Sequence, residues 1–203
     1  MHAFVQTLHG VCGPTRTLWT TWTAAYICKM LILVMGVAGS GKTLISSMLA
    51  ESLHCIFADA DQFHTAANIE KMTHGVPLTD ADRQPWLVAM RQAIEGWTET
   101  GQNAVLACSA LKQSYRDLLT AGVPATVVYL KGSPELIYTR LLQRHNHFMK
   151  PQMLSSQFVG LEEPKDAIVI DIAQSPDQIV AEIRRRLGTH EIEIGGDQNQ
   201  PLR

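Results

Sequence analysis

The sequence is poor in cysteine and has no surplus of charge of either sign. Its four cysteines, Cys12, Cys28, Cys55 and Cys108, are widely spaced and form no C-x-x-C pair. This excludes zinc ribbons and disulfide-stapled scaffolds and favours a reducing compartment. The 17 Lys and Arg residues are balanced by 19 Asp and Glu residues. Without a basic surplus to neutralise a phosphate backbone, the chain is not expected to bind nucleic acid.

A long hydrophobic run is also missing. The best candidate, residues 24–38, is interrupted by Lys29 and is shorter than the roughly 20 residues that a membrane-spanning helix needs. Only Arg16 supplies positive charge before this run, which argues against a cleavable signal. We therefore expect a soluble, cytoplasmic protein with no membrane partner, whose partners are small molecules or proteins.

The 203 residues are sufficient for one hydrophobic core and not for two. Residues 1–29 contain no acidic residue and follow no helical or strand period. We interpret them as an extension outside the fold, either a disordered tail or a segment before an alternative start at Met30; a targeting segment is less favoured, because the arginine density of a transit peptide is missing. Residues 188–203 are polar and are expected to form a flexible tail, which leaves 30–187 as the domain.

Short apolar runs alternate with longer amphipathic stretches through this domain. The apolar runs are continuous and rich in Val and Ile, as is typical of strands buried on both faces of a parallel sheet. They occupy residues 31–35, 55–59, 103–108, 125–130 and 167–171. Helical patterns occupy residues 43–53, 80–97, 113–120, 134–144 and 176–187. This alternation predicts an α/β fold, an open parallel-sheet sandwich.

A glycine-rich segment lies directly between the first predicted strand and the first predicted helix. It matches G-x-x-x-x-G-K-[ST] and consists of Gly36, Val37, Ala38, Gly39, Ser40, Gly41, Lys42 and Thr43. The glycines let successive backbone N–H groups point inward, and the start of the following helix adds its dipole to the same anion site. In this motif the lysine reaches the β- and γ-phosphates and the threonine hydroxyl ligates Mg²⁺. We therefore predict a site for ATP and Mg²⁺ in which Lys42 is also catalytic.

Two aspartates end predicted strands and are candidates for the metal site. Asp59 closes the strand that follows the phosphate-loop helix, whereas Asp171 closes the last strand. We favour Asp59, because open α/β sheets bind their ligands at that edge, and interpret Asp171 as structural. The sequence has no N/T-K-x-D segment to read a guanine base, which argues against a GTPase.

Further segments after the phosphate loop complete a recognisable pattern. They are D-A-D-Q-F-H (59–64), N-I-E-K-M (68–72), G-V-P-L-T-D-A-D-R-Q-P-W-L (75–87), C-S-A-L-K (108–112), Y-R-D-L-L (115–119), H-F-M (147–149), Q-F (157–158) and L-E-E-P (161–164). Over about residues 31–187 the chain resembles the gluconokinase family. Shikimate kinases, the nearest alternative, are expected to have three glycines where this chain has Cys108, Ser109 and Ala110.

The resemblance implies a P-loop fold of the nucleoside-monophosphate-kinase and shikimate-kinase type with a lid near residues 140–155. It also implies a homodimer and an activity, the transfer of the ATP γ-phosphoryl group to the terminal hydroxyl of D-gluconate. The alternatives are another small P-loop kinase, such as a shikimate kinase, and a non-catalytic sensor that binds nucleotide and sugar acid.

The D-A-D segment and the histidine after it supply the candidates nearest the reacting hydroxyl. Asp61 is interpreted as the group that orients and deprotonates this hydroxyl, with Asp59 positioning Mg²⁺; their spacing of two places both on one side if the strand continues that far. The alternative is a solvated strand-to-helix turn. Ala60 stands where the family pattern has Gly, which is tolerable unless the backbone needs a positive φ. His64 is a candidate for substrate binding, with an N-cap or packing role as the alternative.

Two cations are candidates for binding the acid. Arg83 is expected to contact the gluconate carboxylate or the transferred phosphoryl group, or alternatively to form a surface ion pair with Asp80 or Asp82. Lys112 follows a buried strand and has the same two interpretations. Trp86 falls on a helical pattern, as does Trp97, and both are expected in the core.

A basic cluster lies where the resemblance places the lid. Arg140 and Arg144 are candidate catalytic residues that would close over the phosphates, together with His145, His147 and Lys150. The alternative is that these cations only complement the end of a helix dipole. A metal site at the two histidines is not favoured, because neither cysteine nor a carboxylate cluster accompanies them.

Overall fold

The computed structural model describes residues 30–143 and 154–195. The elements in these ranges are β1 (Leu31–Met35), α1 (Lys42–Leu53), β2 (Ile56–Asp59), a 3-10 helix (Ala60–Phe63), α2 (Ala66–Thr73), α3 (Asp80–Glu99), β3 (Ala104–Ala107), α4 (Gln113–Thr120), β4 (Ala125–Lys131), α5 (Pro134–Leu142), α6 (Leu154–Val159), β5 (Ile168–Asp171) and α7 (Pro176–Gly195). None of the helices in these ranges is long and apolar enough to span a membrane.

The strands form one parallel sheet in the order β2-β3-β1-β4-β5. Helices α1, α5 and α7 pack against one face, and α3 and α4 against the other. The predicted parallel sandwich is confirmed. Central strand β1 has the expected burial on both faces, since none of its side chains is more than 4% exposed. Ile32 and Val34 point to one core, and Leu31, Leu33 and Met35 to the other, as the period of two requires.

The prediction that the strands are buried on both faces is wrong for the two edge strands, β2 and β5. Phe57 of β2 is 36% exposed and Val169 of β5 is 39% exposed. The helical layers cover the middle of the sheet more completely than its margins, so each edge strand keeps a partly solvated face.

Two helix ends differ clearly from the predictions: the last predicted helix continues through the first part of the predicted tail, to Gly195, and α5 ends at Leu142. The 3-10 helix, α2 and α6 were not predicted, because each has at most eight residues and shows no clear apolar period. The equally short α4 was predicted, since Tyr115, Leu118 and Leu119 recur at helical spacing. Most of the predicted lid, with Arg144, His145, His147 and Lys150, lies outside the described residues.

The register of the sheet brings three strand ends level. Val34 of β1 pairs with Ala107 of β3, and Ala107 pairs with Asp59 of β2. The segments that follow these residues therefore leave the sheet side by side. On one side of β1 lie β3 and β2, and on the other side lie β4 and β5. Open α/β sheets bind their ligands where the strand order changes direction in this way.

A buried arginine fixes one of these exits. The Arg116 side chain on α4 is 2% exposed and donates hydrogen bonds to the carbonyls of Ala110 at 2.8 Å, Leu111 at 3.1 Å and Glu162 at 2.8 Å. Ala110 has a φ of 40°, in the left-handed region that disfavours a side chain. The guanidinium thus holds a strained turn after β3 and ties it to the segment after α6.

Replacing Arg116 with Met is expected to lower the free energy of unfolding by about 2–4 kcal/mol, because the buried Ala110 carbonyl and the part-buried carbonyls of Leu111 and Glu162 lose a charged donor. Urea denaturation followed by circular dichroism measures this loss. Arg185→Met is the matched control, since the Arg185 side chain is 63% exposed on α7. Equal stability of the two variants would contradict the role given to Arg116.

Candidate active site

A cavity of about 290 Å³ opens at the level strand ends. It brings together these residues predicted from sequence: Lys42, Thr43, Asp59, Asp61, His64, Arg83 and Lys112. Phosphate-loop residues Ala38, Gly39 and Gly41 line the same cavity. The sequence therefore identified groups that share one space, although they come from four separate segments of the chain.

The phosphate loop approaches its neighbours too closely for side chains at two glycines. A Cβ on Gly36 would lie 2.7 Å from Ser40 Oγ, and one on Gly39 would lie 2.9 Å from Leu141 Cγ on α5. Val37 and Ser40 are buried behind the loop rather than on the cavity. These two residues and Gly36 do not line the cavity, and their part in nucleotide binding, through backbone amides, stays a prediction.

The start of α1 is built to hold an anion. Its N-cap, Gly41, has a φ of 93° and makes no side-chain capping bond, and the first turn contains no acidic residue. The first amides of the helix and its dipole thus favour negative charge at this point. Lys42 Nζ donates to the carbonyl of Val37 at 3.0 Å, which folds the ammonium back over the loop.

Thr43 and Asp59 meet as the sequence predicted. Thr43 Oγ1 donates to Asp59 Oδ2 at 2.7 Å. A hydroxyl and a carboxylate are hard oxygen donors, and Mg²⁺ is commonly held by one or two such protein groups together with phosphate and water. No group of three His, Cys, Asp or Glu side chains suited to a metal occurs among residues 30–143 and 154–195. This pair of donors fits the Mg²⁺ of a nucleotide complex.

Asp61 reaches the cavity, but not along a continued strand. Strand β2 ends at Asp59, and the chain turns into the 3-10 helix at Ala60. The backbone N–H of Asp61 donates to Asp59 Oδ1 at 3.0 Å, so the first aspartate orients the turn that presents the second. Trp86 Nε1 donates to the Ala60 carbonyl at 2.7 Å and anchors the same turn. Ala60 itself has no positive φ, which explains why alanine is tolerated there.

His64 packs on Trp86 in a parallel stack, with ring centroids 4.7 Å apart and planes 5° apart. The N-cap of α2 is Thr65, whose side chain accepts from Asn68 N, so the N-cap alternative for His64 is wrong. Burial lowers the pKa of His64 and outweighs the opposing charge of Asp61. The imidazole is therefore neutral near pH 7 and lines the cavity as a hydrogen-bonding group rather than as a cation.

Arg83 and Lys112 both line the cavity and share one carboxylate. Lys112 Nζ contacts the two carboxylate oxygens of Asp80 at 2.6 and 2.9 Å, and Arg83 contacts it at 3.4 Å. Tyr115 also donates to Asp80. The hydrogen bond from Lys112, followed by that from Tyr115, lowers the pKa of Asp80. Arg83 thus forms the ion pair with Asp80 that was the alternative interpretation, and it also lines the cavity.

Asp82, the second expected partner of Arg83, is used elsewhere. Its side chain accepts from Lys71 Nζ at 2.6 Å and closes a capping box with Thr79 at the start of α3. The hydrogen bond from Lys71 lowers the pKa of Asp82 to about 2.

Sequence reasoning missed two contributors to the site. Gln157 on α6 accepts a hydrogen bond from the Ala38 N–H of the phosphate loop at 2.6 Å. It belongs to the Q-F pair of the family pattern, but no local chemistry pointed to its position. Tyr115 lines the cavity together with Lys112; its place in the first turn of α4, shortly after Lys112, was the available signal. Trp86 is buried as expected and lines the cavity in addition.

The structure does not bring Arg140 to the cavity. Its guanidinium donates to the Ile172 carbonyl at 2.7 Å, after β5 and on the far side of the sheet order from Asp59. Arg144 lies outside the described residues. Asp171 also stays away from the cavity and accepts from the Ala173 N–H in a turn, as its structural interpretation requires.

Comparison with known proteins agrees with this geometry. The family profile described as shikimate kinase matches residues 38–187. The thermoresistant gluconokinase of Escherichia coli (strain K12) is 45% identical over 156 residues, which cover 74% of this chain and 89% of that protein. A probable gluconokinase of Mus musculus is 42% identical, over 77% of this chain and 97% of its own.

Solved structures point the same way. The crystal structure of a gluconokinase from Sinorhizobium meliloti 1021 superposes with a TM-score of 0.76 at 35% identity, covering 84% of this chain and 98% of that one. Since these relatives match at 35–45% identity over most of both chains, the protein belongs to the gluconokinase family of P-loop kinases.

Proposed function

We propose that the protein transfers the γ-phosphoryl group of ATP to the terminal hydroxyl of D-gluconate and releases 6-phosphogluconate. The observation that supports this most directly is the set of groups that line one cavity, namely a phosphate loop, the acidic pair Asp59 and Asp61, and the two cations Arg83 and Lys112. A sugar acid has matching chemistry, with a reactive alcohol at one terminus and a carboxylate at the other.

At the nucleotide end, the loop amides and the start of α1 hold the phosphates, with Lys42 over the transferred group. Thr43 and Asp59 would hold Mg²⁺, which supplies positive charge to the phosphate oxygens when it is bound. These groups stabilise negative charge that spreads over the phosphoryl oxygens in the transition state. Positioning and electrostatics thus provide most of the catalysis, as is usual for phosphoryl transfer.

Asp61 is proposed to orient the acceptor. Its carboxylate accepts a hydrogen bond from the terminal hydroxyl of gluconate and takes the proton as the hydroxyl oxygen bonds to the γ-phosphorus. The bond from that phosphorus to the bridging oxygen breaks, and the electron pair leaves with ADP. The Asp59–Asp61 hydrogen bond and the Trp86 anchor keep this carboxylate fixed while the proton moves.

We call the part of the cavity lined by Arg83 and Lys112 the acid end, and we propose that it selects the carboxylate of the acceptor. Arg83 and Lys112 reach the cavity from α3 and from the start of α4, and together they can bind the two oxygens of one carboxylate. Neutral His64 is suited to the hydroxyls between the two ends, because an imidazole without charge both donates and accepts.

The cytoplasmic location and the homodimer expected from the sequence are part of this proposal. Light scattering on the purified protein tests the dimer by giving twice the chain mass of 22.5 kDa.

The Lys42→Ala variant tests the phosphate loop. We expect kcat to fall by about two to three orders of magnitude, because one preorganised cation is lost from the transition state. A coupled assay of ADP release with D-gluconate, and with shikimate as the competing acceptor, measures it. Lys165→Ala removes an exposed lysine outside the cavity and is expected to match the wild type. A Lys42→Ala enzyme with wild-type turnover would contradict the assignment.

The Asp61→Asn variant tests the proposed base. We expect kcat to fall by about two to four orders of magnitude while the Kd of ATP, measured by isothermal titration, stays within about threefold. Asp171→Asn changes an aspartate at the end of β5, outside the cavity, and is the control. If Asp61→Asn raised only the KM for gluconate, Asp61 would bind substrate without acting as a base.

The side chain of Gln157 takes up one backbone N–H donor of the phosphate loop. Its oxygen accepts from Ala38 N–H at the place where an anionic oxygen would compete for the same donor. Binding of ATP is therefore expected to replace this bond and to release the contact between α6 and the loop.

The Gln157→Glu variant keeps the shape and the acceptor but adds a negative charge beside the phosphates. We expect the Kd of ATP to rise about tenfold, because repulsion between the new carboxylate and the phosphates costs about 1.4 kcal/mol, which corresponds to a factor of ten. Gln157→Ala, which removes the competing acceptor, is expected to bind ATP at least as well as the wild type. Gln174→Glu places the same charge on the β5–α7 turn as a control. Tight ATP binding by Gln157→Glu would show that this oxygen does not compete with phosphate.

A further inference from the structure

The carboxylate of Asp80 contacts three residues that line the cavity. It accepts hydrogen bonds from Lys112 Nζ at 2.6 Å and from the Tyr115 hydroxyl, and it forms an ion pair with Arg83 Nη1 at 3.4 Å. Asp80 does not line the cavity itself. It therefore acts through its neighbours, and any effect it has on a ligand is exerted through the charge and placement of the two cations.

The surroundings of Asp80 favour its negative charge. It is the first residue of α3, where the helix dipole favours an anion, and its carboxylate bonds to the side chains of Lys112 and Tyr115 at the start of α4. The other carboxylates nearby have different partners: Asp82 pairs with Lys71, and Asp117 accepts from Gln113. Asp80 is thus a carboxylate in direct contact with both Arg83 and Lys112, and its charge offsets theirs.

We propose that Asp80 is a positioning residue that sets the charge selectivity of the pocket, holding Arg83 and Lys112 together at a net charge of plus one so that the site favours a singly charged acid. The inference rests on the proposed function, because it takes the cations as the binding site of the acceptor's carboxylate. A dianion placed at this end would meet the Asp80 charge without a matching cation. A neutral polyol would leave the two cations without their substrate partner.

A series of acceptors with one carbon skeleton tests this proposal. D-glucitol is neutral, D-gluconate has one charge, and D-glucitol 1-phosphate has nearly two at pH 8, with the phosphate on the carbon that is the carboxylate in gluconate. All three keep the hydroxyl that receives the phosphoryl group. The measured quantity is the Kd of each compound by isothermal titration on the full chain, with ATP replaced by a non-hydrolysable analogue.

In Asp80→Asn, the ratio of the two acid affinities is expected to shift toward the phosphate by about threefold to tenfold, since a half-exposed charge is partly screened. D-glucitol is expected to bind as in the wild type. Asp80→Glu retains the charge and should restore the wild-type ratio. Asp117→Asn removes an equal charge from α4, outside the cavity, and should leave the ratio unchanged. Asp80→Ser is a second neutral variant should the asparagine destabilise the fold.

Equal changes in all three affinities for Asp80→Asn would overturn the proposal and leave Asp80 with a structural role only. A shift of the same size in Asp117→Asn would overturn it too, because the effect would then belong to the general field of the protein. A wild-type enzyme that binds neither acid would instead contradict the proposed function, so the two failures are distinguishable.

Discussion

The site depends on the level alignment of the carboxyl ends of β1, β3 and β2. Adjacent strands lie about 4.8 Å apart, so the register that pairs Val34 with Ala107 and Ala107 with Asp59 places the ends of β1 and β2 about 10 Å apart. Helix α1 begins at one end and packs across β3, and its first turn bridges this gap through the Thr43–Asp59 bond. A register shift of one residue would turn Asp59 to the other face of the sheet and separate the metal donors.

The parts that could be predicted are those set by local backbone chemistry. The phosphate loop needs glycines at Gly36 and Gly39 because no side chain fits there, and that requirement is visible in the sequence. Asp61 lines the cavity, but the strand that would have placed it beside Asp59 ends at Asp59, and its role as a base stays a prediction. A tertiary hydrogen bond from Trp86, 26 residues away, stabilises the turn that presents it. Sequence spacing contains no information about such a bond.

The remaining wall of the site depends on contacts between distant segments. Arg116 joins the turn after β3 to Glu162, and Gln157 reaches the phosphate loop across 119 positions of sequence. The pattern of apolar residues does not reveal which carbonyl a buried arginine will bind, and α6 is too short to be predicted from its period. The arrangement of these segments follows from the closed fold, and it decides which polar groups line the cavity and which, like Arg140, stabilise another part of the sheet.

Burial keeps two of the groups that line the cavity uncharged. Burial raises the pKa of Cys108 to about 12, although Lys42 nearby favours the thiolate, so a neutral thiol lies at the end of β3. Burial against Trp86 likewise lowers the pKa of His64 and keeps it uncharged. Uncharged groups among the lining residues attract neither a polyphosphate nor a carboxylate, so that attraction is left to the phosphate loop and to Arg83 and Lys112. In the proposed function, this favours one orientation of an acceptor that has its charge at one terminus and its alcohol at the other, with the alcohol toward Asp61.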